Sequence, residues 1–409
     1  MNPLSMILAD LRSLRWTAVV VVVLVAAAVA SGVLLDVQER AFRHASTRAA
    51  TDFPLVVGAP GSQSQLVLST VYLRLDALPL MDGATIRRLE GDRRVASVAP
   101  IAFGDVVKGH PVIGTTADFA TRRGSVAVVE GRMFAAEGEA VVGSAVGMAV
   151  GDEFAPSHGH GHVTAAPSAA DLAEEARHVH HGVTHRVVGR LAPTGGPWDE
   201  AVVVPIETVW ETHGLGDGHA AEGQIGPPFD AEKIPGVPAL VVRPQSFADA
   251  YGLRAELRAA GLLALFPAEV LVDIHAALGN AREALEVANA IDAALILLAV
   301  AALLVTVTTL RRHRHAVLRA IGAPWHFVFV EVWAVGAILV GLGCAIGCGL
   351  GFGAASVFAR LLERMTGLTI VLEAGGAEFA HVAIVFAVGA AIAGLPAVIA
   401  ARRVDLLSE

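Results

Sequence analysis

Cysteine and lysine are almost missing from this chain, with two of each in 409 residues. Both cysteines, Cys344 and Cys348, fall inside one apolar run, four residues apart and so on one helix face. A disulfide between them would need a distorted backbone. The polar part of the chain has no cysteine, which rules out a Cys-type structural zinc site there and leaves core packing to hold it together. Neither lysine, Lys108 or Lys233, stands in the G-x-x-x-x-G-K-[ST] context whose amides and lysine cradle phosphates. The chain therefore carries no P-loop of its own. A G-x-S-x-G elbow and an H-E-x-x-H pair are also missing, so those hydrolase chemistries have no footing in it.

What the chain does have is four long apolar runs: Thr17–Leu35, Ile291–Leu310, Phe327–Ala359 and His381–Ala401. A helix needs about 20 apolar residues to cross the hydrocarbon core. The first run has 19 residues and no charge, and the third is longer than a span needs, which tilt accommodates. A buried soluble helix can imitate one such run, but not four. Val29-Ala30-Ser31 looks like a signal cleavage site, yet the first run exceeds the roughly 7–15 residues of a signal h-region. An uncleaved anchor is expected.

The expected organisation is a segment 1–16, a span at 17–35, an outer α+β domain over 36–274, and a stalk with second span at 275–310. A loop at 311–326, a span at 327–359, a short loop at 360–379, a span at 380–401 and a tail at 402–409 complete it. Arg12, Arg15, Arg311, Arg312, Arg314, Arg319, Arg402 and Arg403 flank these runs on one side. Short cytoplasmic loops collect arginine and lysine, so both termini and the loop 311–326 are expected in the cytoplasm. Residues 36–289 hold 20 basic and 31 acidic side chains, a formal charge of −11, which argues against nucleic acid as a partner.

The outer region reads as mixed α and β. Strands are expected at Leu66–Leu75, Val95–Ile101, Val126–Val129, the start of Gly138–Phe154, His185–Leu191, Ala201–Val204 and Ala239–Val242. Helices are expected at Thr85–Glu90, after Pro205, and at Ser246–Ala260 with Ser246 as N-cap. Residues 274–292 read as helix running straight into the second span.

Nine of the 16 histidines fall between His158 and His219. They form three groups: His158, His160 and His162; His178, His180, His181 and His185; and His213 with His219. Neutral imidazole is a common ligand for zinc, copper and nickel. Alternating histidines on an extended chain point to one side. The first two groups lie in an insert at 155–185 and are the candidate metal ligands, with zinc or another transition ion as the metal. Asp171, Glu174 and Glu175 stand between them. The plain alternative is a solvated loop of drifting composition, with His213 and His219 as ordinary surface residues. His313 and His315 read as part of a basic loop surface. Glu331 reads as an interfacial acid facing its helix partners, and the glycines from Gly336 to Gly353 as a surface for close packing, between two copies of the chain.

The segment His313–Ala323 (HRHAVLRAIGA) between two spans resembles the cytoplasmic signature of the FtsX-like permease family, which includes the MacB type of ABC transporter subunit. Leu395-Pro396-Ala397 with Ala400–Asp405 resembles the family's ending. Gly138–Gly143 with Gly151-Asp152, Val187–Gly189 and Val203–Pro205 resemble its MacB-type periplasmic core. The one-plus-three layout of spans is also similar. Two departures stand out. Arg314 occupies a position where the family often carries glutamate, and Glu331 lies about one turn from the place of another family glutamate.

The resemblance implies four transmembrane helices, an α+β extracytoplasmic domain of MacB periplasmic-core type, and a bacterial inner-membrane location. It implies a non-catalytic permease subunit whose ATP is handled by a separate cytoplasmic ABC ATPase. Arg311, Arg312, Arg314, Arg319 and Gly322 would form the coupling element. A homodimer, membrane lipids and a periplasmic adaptor are the other expected partners, and the His-rich insert adds a metal-binding protein to them. A mechanical regulator of a periplasmic partner and a lipoprotein-releasing permease fit the same family.

Overall fold

The computed structural model describes residues 4–158, 183–221, 223–230 and 232–402. Among them the helices are, in chain order, α1 (Leu4–Ser13), α2 (Arg15–Ala50), α3 (Gln63–Thr70), α4 (Ala84–Glu90), α5 (Ala117–Ala120) and α6 (Ile206–Thr212). They continue with α7 (Phe247–Ala259), α8 (Pro267–Leu310), α9 (Arg312–Ala320), α10 (Trp325–Thr366), α11 (Gly376–Ile392) and α12 (Gly394–Arg402). The strands are β1 (Leu55–Gly58), β2 (Val95–Val107), β3 (His110–Thr115), β4 (Val128–Gly131), β5 (Glu139–Val142) and β6 (Glu153–Phe154). After these come β7 (Ser157–His158), β8 (His185–Leu191), β9 (Val202–Pro205), β10 (Ala239–Pro244) and β11 (Leu263–Leu265).

The chain divides into two compact units. One comprises residues 1–42, 278–359 and 371–409 and holds the apolar helices. Among the described residues, four helical stretches are long and apolar enough to cross a membrane: Arg15–Ala50, Glu283–Leu310, Trp325–Arg364 and Gly376–Ala401. Valine dominates the first, and β-branched residues are poor helix formers in water. In lipid every backbone polar group must be satisfied within the segment, which overrides that preference. Val21, Val25, Val29, Val33 and Val37 form a buried stripe on α2 at four-residue spacing.

Glycines of α10 receive that stripe. A Cβ added at Gly343 would stand 2.6 Å from Val25, one at Gly347 2.6 Å from the carbonyl oxygen of Ala26, and one at Gly351 2.8 Å from Val33. The expectation of close packing at these glycines is therefore met within one chain, where two copies had been expected. The first span supplies a partner face in register, leaving only some of the glycines uncovered. Gly349 and Gly353 have nothing within 4 Å of an added Cβ.

The other unit, residues 43–277 and 360–370, is the α+β domain. Its sheet runs β11-β1-β10-β2-β3-β9-β5-β8-β4, with β6 beside β8 and β7 beside β2. Most pairs are antiparallel, while β3–β9 and β5–β8 are parallel. Strands buried on both faces read as unbroken apolar runs, as in Val202–Val204 and Ala239–Val242. One core contains Leu55, Trp210, Leu240 and Leu253, and the other Val56, Phe119, Trp198 and Val241. The Arg122 guanidinium lies buried in the second, 4.2 Å from the Phe119 ring and 4.7 Å from Trp198, with Asp52 at 3.2 Å. Cation–π contact offsets part of the cost of burying the charge.

Several expected elements are present: β8, β9 and β10, and helices α4, α6 and α7, where the Ser246 hydroxyl accepts from the Asp249 N–H. The expected strand at Leu66–Leu75 is instead helix α3 followed by irregular chain. Ser62 caps that helix through the Gln65 N–H, and Leu66 and Val67 are buried from one of its faces. Partial alternation in so short a stretch also fits one helical face, and the cap decided it.

Gly347→Val drives a branched side chain into Ala26 and Val29 and is expected to lower stability by about 1–3 kcal/mol. Gly349→Val meets open space within the chain, and in the monomer it is expected to stay within about 0.5 kcal/mol. Thermal unfolding of the detergent-solubilised monomer checks the pair, and equal melting temperatures for the two variants would show that Gly347 does not receive the α2 stripe.

Candidate functional site

In the α+β domain, β2 alternates between the two cores from Val98 to Phe103. Ala102 belongs to the core that holds Val112, Val209 and Trp210, and Phe103 packs against the other core. Continued alternation would send Asp105 to the face of Phe103. A bulge intervenes. Phe103 pairs with Ile113, but the next pair joins Asp105 to Val112, so Gly104 is the extra residue. A one-residue slip moves every later side chain to the opposite face. Asp105 thus joins the face of Val112 and is 3% exposed.

His158 on β7 is the register partner of Asp105, and directly opposed residues share a face. His158 Nδ1 lies 3.3 Å from Asp105 Oδ1. From a third direction comes His213, the C-cap residue of α6. Its Nδ1 is 2.8 Å from the Val209 carbonyl oxygen. A ring N–H donated there leaves Nε2 as the lone-pair nitrogen, 3.7 Å from the same Asp105 oxygen. The two rings have centroids 5.4 Å apart. The three donor atoms lie within 4.8 Å of one another. A cavity of about 1020 Å³ adjoins them, with His213 in its wall beside Gly104, Trp210, Arg74 and Asp76.

Of the metal ligands expected from sequence, only His158 and His185 lie among the described residues. His160, His162, His178, His180 and His181 fall outside them, as do Asp171, Glu174 and Glu175. His185 is not with His158 in this cluster. It is buried at the start of β8, its ring 5.3 Å from that of Phe154 in a T-shaped contact. It shares a face with Val187, two residues on, which lies in the same core as Phe154. His219 is no surface residue either. It is 2% exposed, stacked on Phe229 at 5.2 Å, with Nε2 3.1 Å from Glu207 Oε1. Burial pushes the Glu207 carboxyl above its usual range, against the His219 contact and the Gly226 N–H. Sequence reasoning missed Asp105. Its signal was a glycine interrupting an apolar strand, the mark of a bulge.

In the unit of apolar helices, the segment between α8 and α10 was expected to present four arginines outward. Arg311 and Arg314 instead turn to Asp10 of α1, Arg311 at 3.0 Å. Asp10 is 7% exposed, and a buried carboxylate holds its charge only with cations against it. Arg314 also stands 3.6 Å from Glu331, which is fully buried. His315, expected on the surface, is buried, and that burial, with Arg314 beside it, pushes its pKa down. Leu318, Ala323 and Phe327 close the same side with Met6. The opposite side of α9 exposes Arg312, His313 and Val317, followed by Ile321, while Arg319 is half-buried. Gly322 has φ +95° and nothing within 4 Å of an added Cβ. It serves a turn, not a close approach.

Comparison with known proteins agrees with this division. The family model for the MacB-like periplasmic core domain matches residues 16–260, and that for the FtsX-like permease C-terminal region matches residues 288–404. The chain belongs to the MacB/FtsX-like family of ABC transporter permeases. Permeases of this family are generally non-catalytic and partner with a cytoplasmic ABC ATPase. Among solved structures, the periplasmic region of MacB from Actinobacillus actinomycetemcomitans is similar at 10% identity. That match covers 54% of this chain and 92% of that one, with a TM-score of 0.30. The extracellular domain of the noncanonic ABC-type transporter YknZ from Gram-positive bacteria is 14% identical, covering 54% and 94%, with a TM-score of 0.27. No curated protein sequence is significantly similar to the chain.

Next to α6, burial and a hydrogen bond with Glu211 raise the Glu137 carboxyl from 4.5 to about 7, with Glu207 and Asp217 adding repulsion. The unfolded chain releases this proton first, so stability is full below about 4.5 and falls as pH rises to about 7. Glu137→Gln is expected to flatten that part of the profile. Denaturation midpoints across the interval check it, and an unchanged slope in the variant would overturn the assignment.

Proposed function

We propose that this chain is the membrane subunit that couples ATP hydrolysis by a separate ATPase to movement of its extracytoplasmic domain. The geometry of α9 carries the reading. A short helix between two apolar helices is tied on one side by Asp10 and a small apolar cluster. It leaves His313, Val317 and Ile321 exposed at four-residue spacing. Such a helix can receive a push on its free side and pass it to the helices it joins. Arg312 and Arg319 with the Gly322 turn would complete the contact. Arg311 and Arg314 act from behind it by fixing its angle.

The arginine distribution supports a cytoplasmic position for both termini and α9, in a chain that would reside in a bacterial inner membrane. Gly349 and Gly353, uncovered on α10, support a homodimer packed at that face. The histidines at 158, 160, 162, 178, 180 and 181 support a link to zinc or another transition metal, as cargo, regulator or contact with a metal-binding partner. ATP would enter only through the ATPase.

Topology is checked by cysteine labelling in intact cells, after Cys344 and Cys348 are replaced by alanine. Arg93→Cys is expected to react with an impermeant maleimide and Arg314→Cys only after permeabilisation. Labelling of the residue-314 cysteine in sealed cells would invert the arrangement. Coupling is checked with the double variant Arg319→Ala, Gly322→Val. A β-branched residue is strained at positive φ by about 1–2 kcal/mol, so the turn should shift. Reconstituted with its ATPase, the variant should lose at least half of the permease-dependent change in ATPase rate, or fail to co-purify. Behaviour equal to the parent complex would show that α9 is not the coupling element.

A further inference from the structure

We propose that Asp105, His158 and His213 form a site for one divalent transition-metal ion, zinc by its donor set, with a fourth coordination position open beside the cavity. Zinc takes imidazole nitrogen and carboxylate oxygen at about 2.0–2.2 Å. Tetrahedral donors at that radius stand roughly 3.3–3.5 Å from one another. Here the donor separations are 3.3 Å and 3.7 Å about the shared Asp105 oxygen. An ion would thus find its ligands nearly in place, requiring side-chain adjustment and no backbone rearrangement.

Three further observations point the same way. The Val209 carbonyl holds His213 Nδ1 at 2.8 Å, turning Nε2 toward Asp105. An outer-shell contact of this kind selects the tautomer in metal-binding histidines. Asp105 is a carboxylate at 3% exposure, placed by a bulge on the face where both imidazoles converge. Two nitrogens and one oxygen also suit zinc and its neighbours better than calcium or magnesium, which prefer six or more oxygens.

Three protein ligands with a free fourth position is the pattern of an exchangeable or reactive zinc site, not of a closed structural one. His213 is shared with the wall of the 1020 Å³ cavity. A ligand occupying that cavity could therefore supply the fourth donor. The ion would also join β2, β7 and the end of α6, three elements distant in sequence. The proposal does not rest on the coupling reading, since its test detects metal and not ATP turnover. It shares His158 with the insert reading but needs none of the other insert histidines.

The test uses the full chain in lipid nanodiscs with His160, His162, His178, His180 and His181 changed to alanine, titrated with Co2+ and then Zn2+. One Co2+ per chain is expected, with the intense visible bands of low-coordinate cobalt, displaced by one Zn2+. Adding His213→Ala or His158→Ala should weaken binding at least tenfold. His158→Cys should add a thiolate-to-cobalt charge-transfer band, whether in that background or in the otherwise unmodified chain, and His213→Ala should diminish that band. These two exposed positions leave the core intact, and circular dichroism verifies it. The proposal is overturned if the folded five-histidine variant binds no cobalt, which would place any metal on the insert. It is equally overturned if affinity is unchanged without His158 and His213, or if His158→Cys produces no charge-transfer band.

Discussion

Helices in lipid gain little from the hydrophobic effect against one another, so their association depends on van der Waals contact at short range. In this chain that constraint is met by two four-residue repeats that interlock, valines on α2 and glycines on α10. With no Cβ at 343, 347 and 351, the backbone of one helix can approach the valines of the other. Polar contacts follow the same register. Gln38 donates to the Ala355 carbonyl at 2.8 Å, and Arg40 reaches Glu378. A side chain at Gly347 would separate the helices and with them every contact that depends on their spacing.

The α+β domain has its own point of dependence in a single inserted residue. Sheet alternation has a period of two, so one extra residue reverses the facing of all that follow. Gly104 is that residue. Without it, Asp105 would face the aromatic core of Phe103, and the two histidines that converge on it would meet an apolar surface. The bulge therefore determines whether this edge of the sheet is chemistry or packing. Bulges beside functional sites often re-aim a side chain in this way.

Much of this was legible in the sequence because it depends on length and repetition. Apolar runs of helix-spanning length stand out without any knowledge of partners, and the strands at Val202 and Ala239 announced themselves as unbroken valine and leucine. Ser246 was readable as a cap because capping is local chemistry. Three things were not read, and the last two depend on what lies across space. Leu66–Leu75 looks like a strand until Ser62 caps it as a helix. The glycines of α10 indicate close packing but not against which helix. Asp105 has no distinguishing neighbour in sequence, since His158 and His213 come to it from other elements. Histidine clustering drew attention to the insert, whereas the described cluster takes one histidine from its edge, one from beyond it, and an acid from far upstream.

The two departures from the family pattern are better understood as one. An arginine at 314 would be costly beside a buried surface unless acids faced it. Two do. Asp10 approaches from α1, and Glu331 lies at 3.6 Å on α10, one turn from where the family's own acid would stand. Neither acid is tolerable alone at such burial, so acids and arginines hold one another in place. The network keeps the inner side of α9 fixed by charge in the place where a glutamate would have contributed the opposite sign. The other side of α9 is left with Arg312, His313 and Val317 exposed, while the paired charges lie behind it.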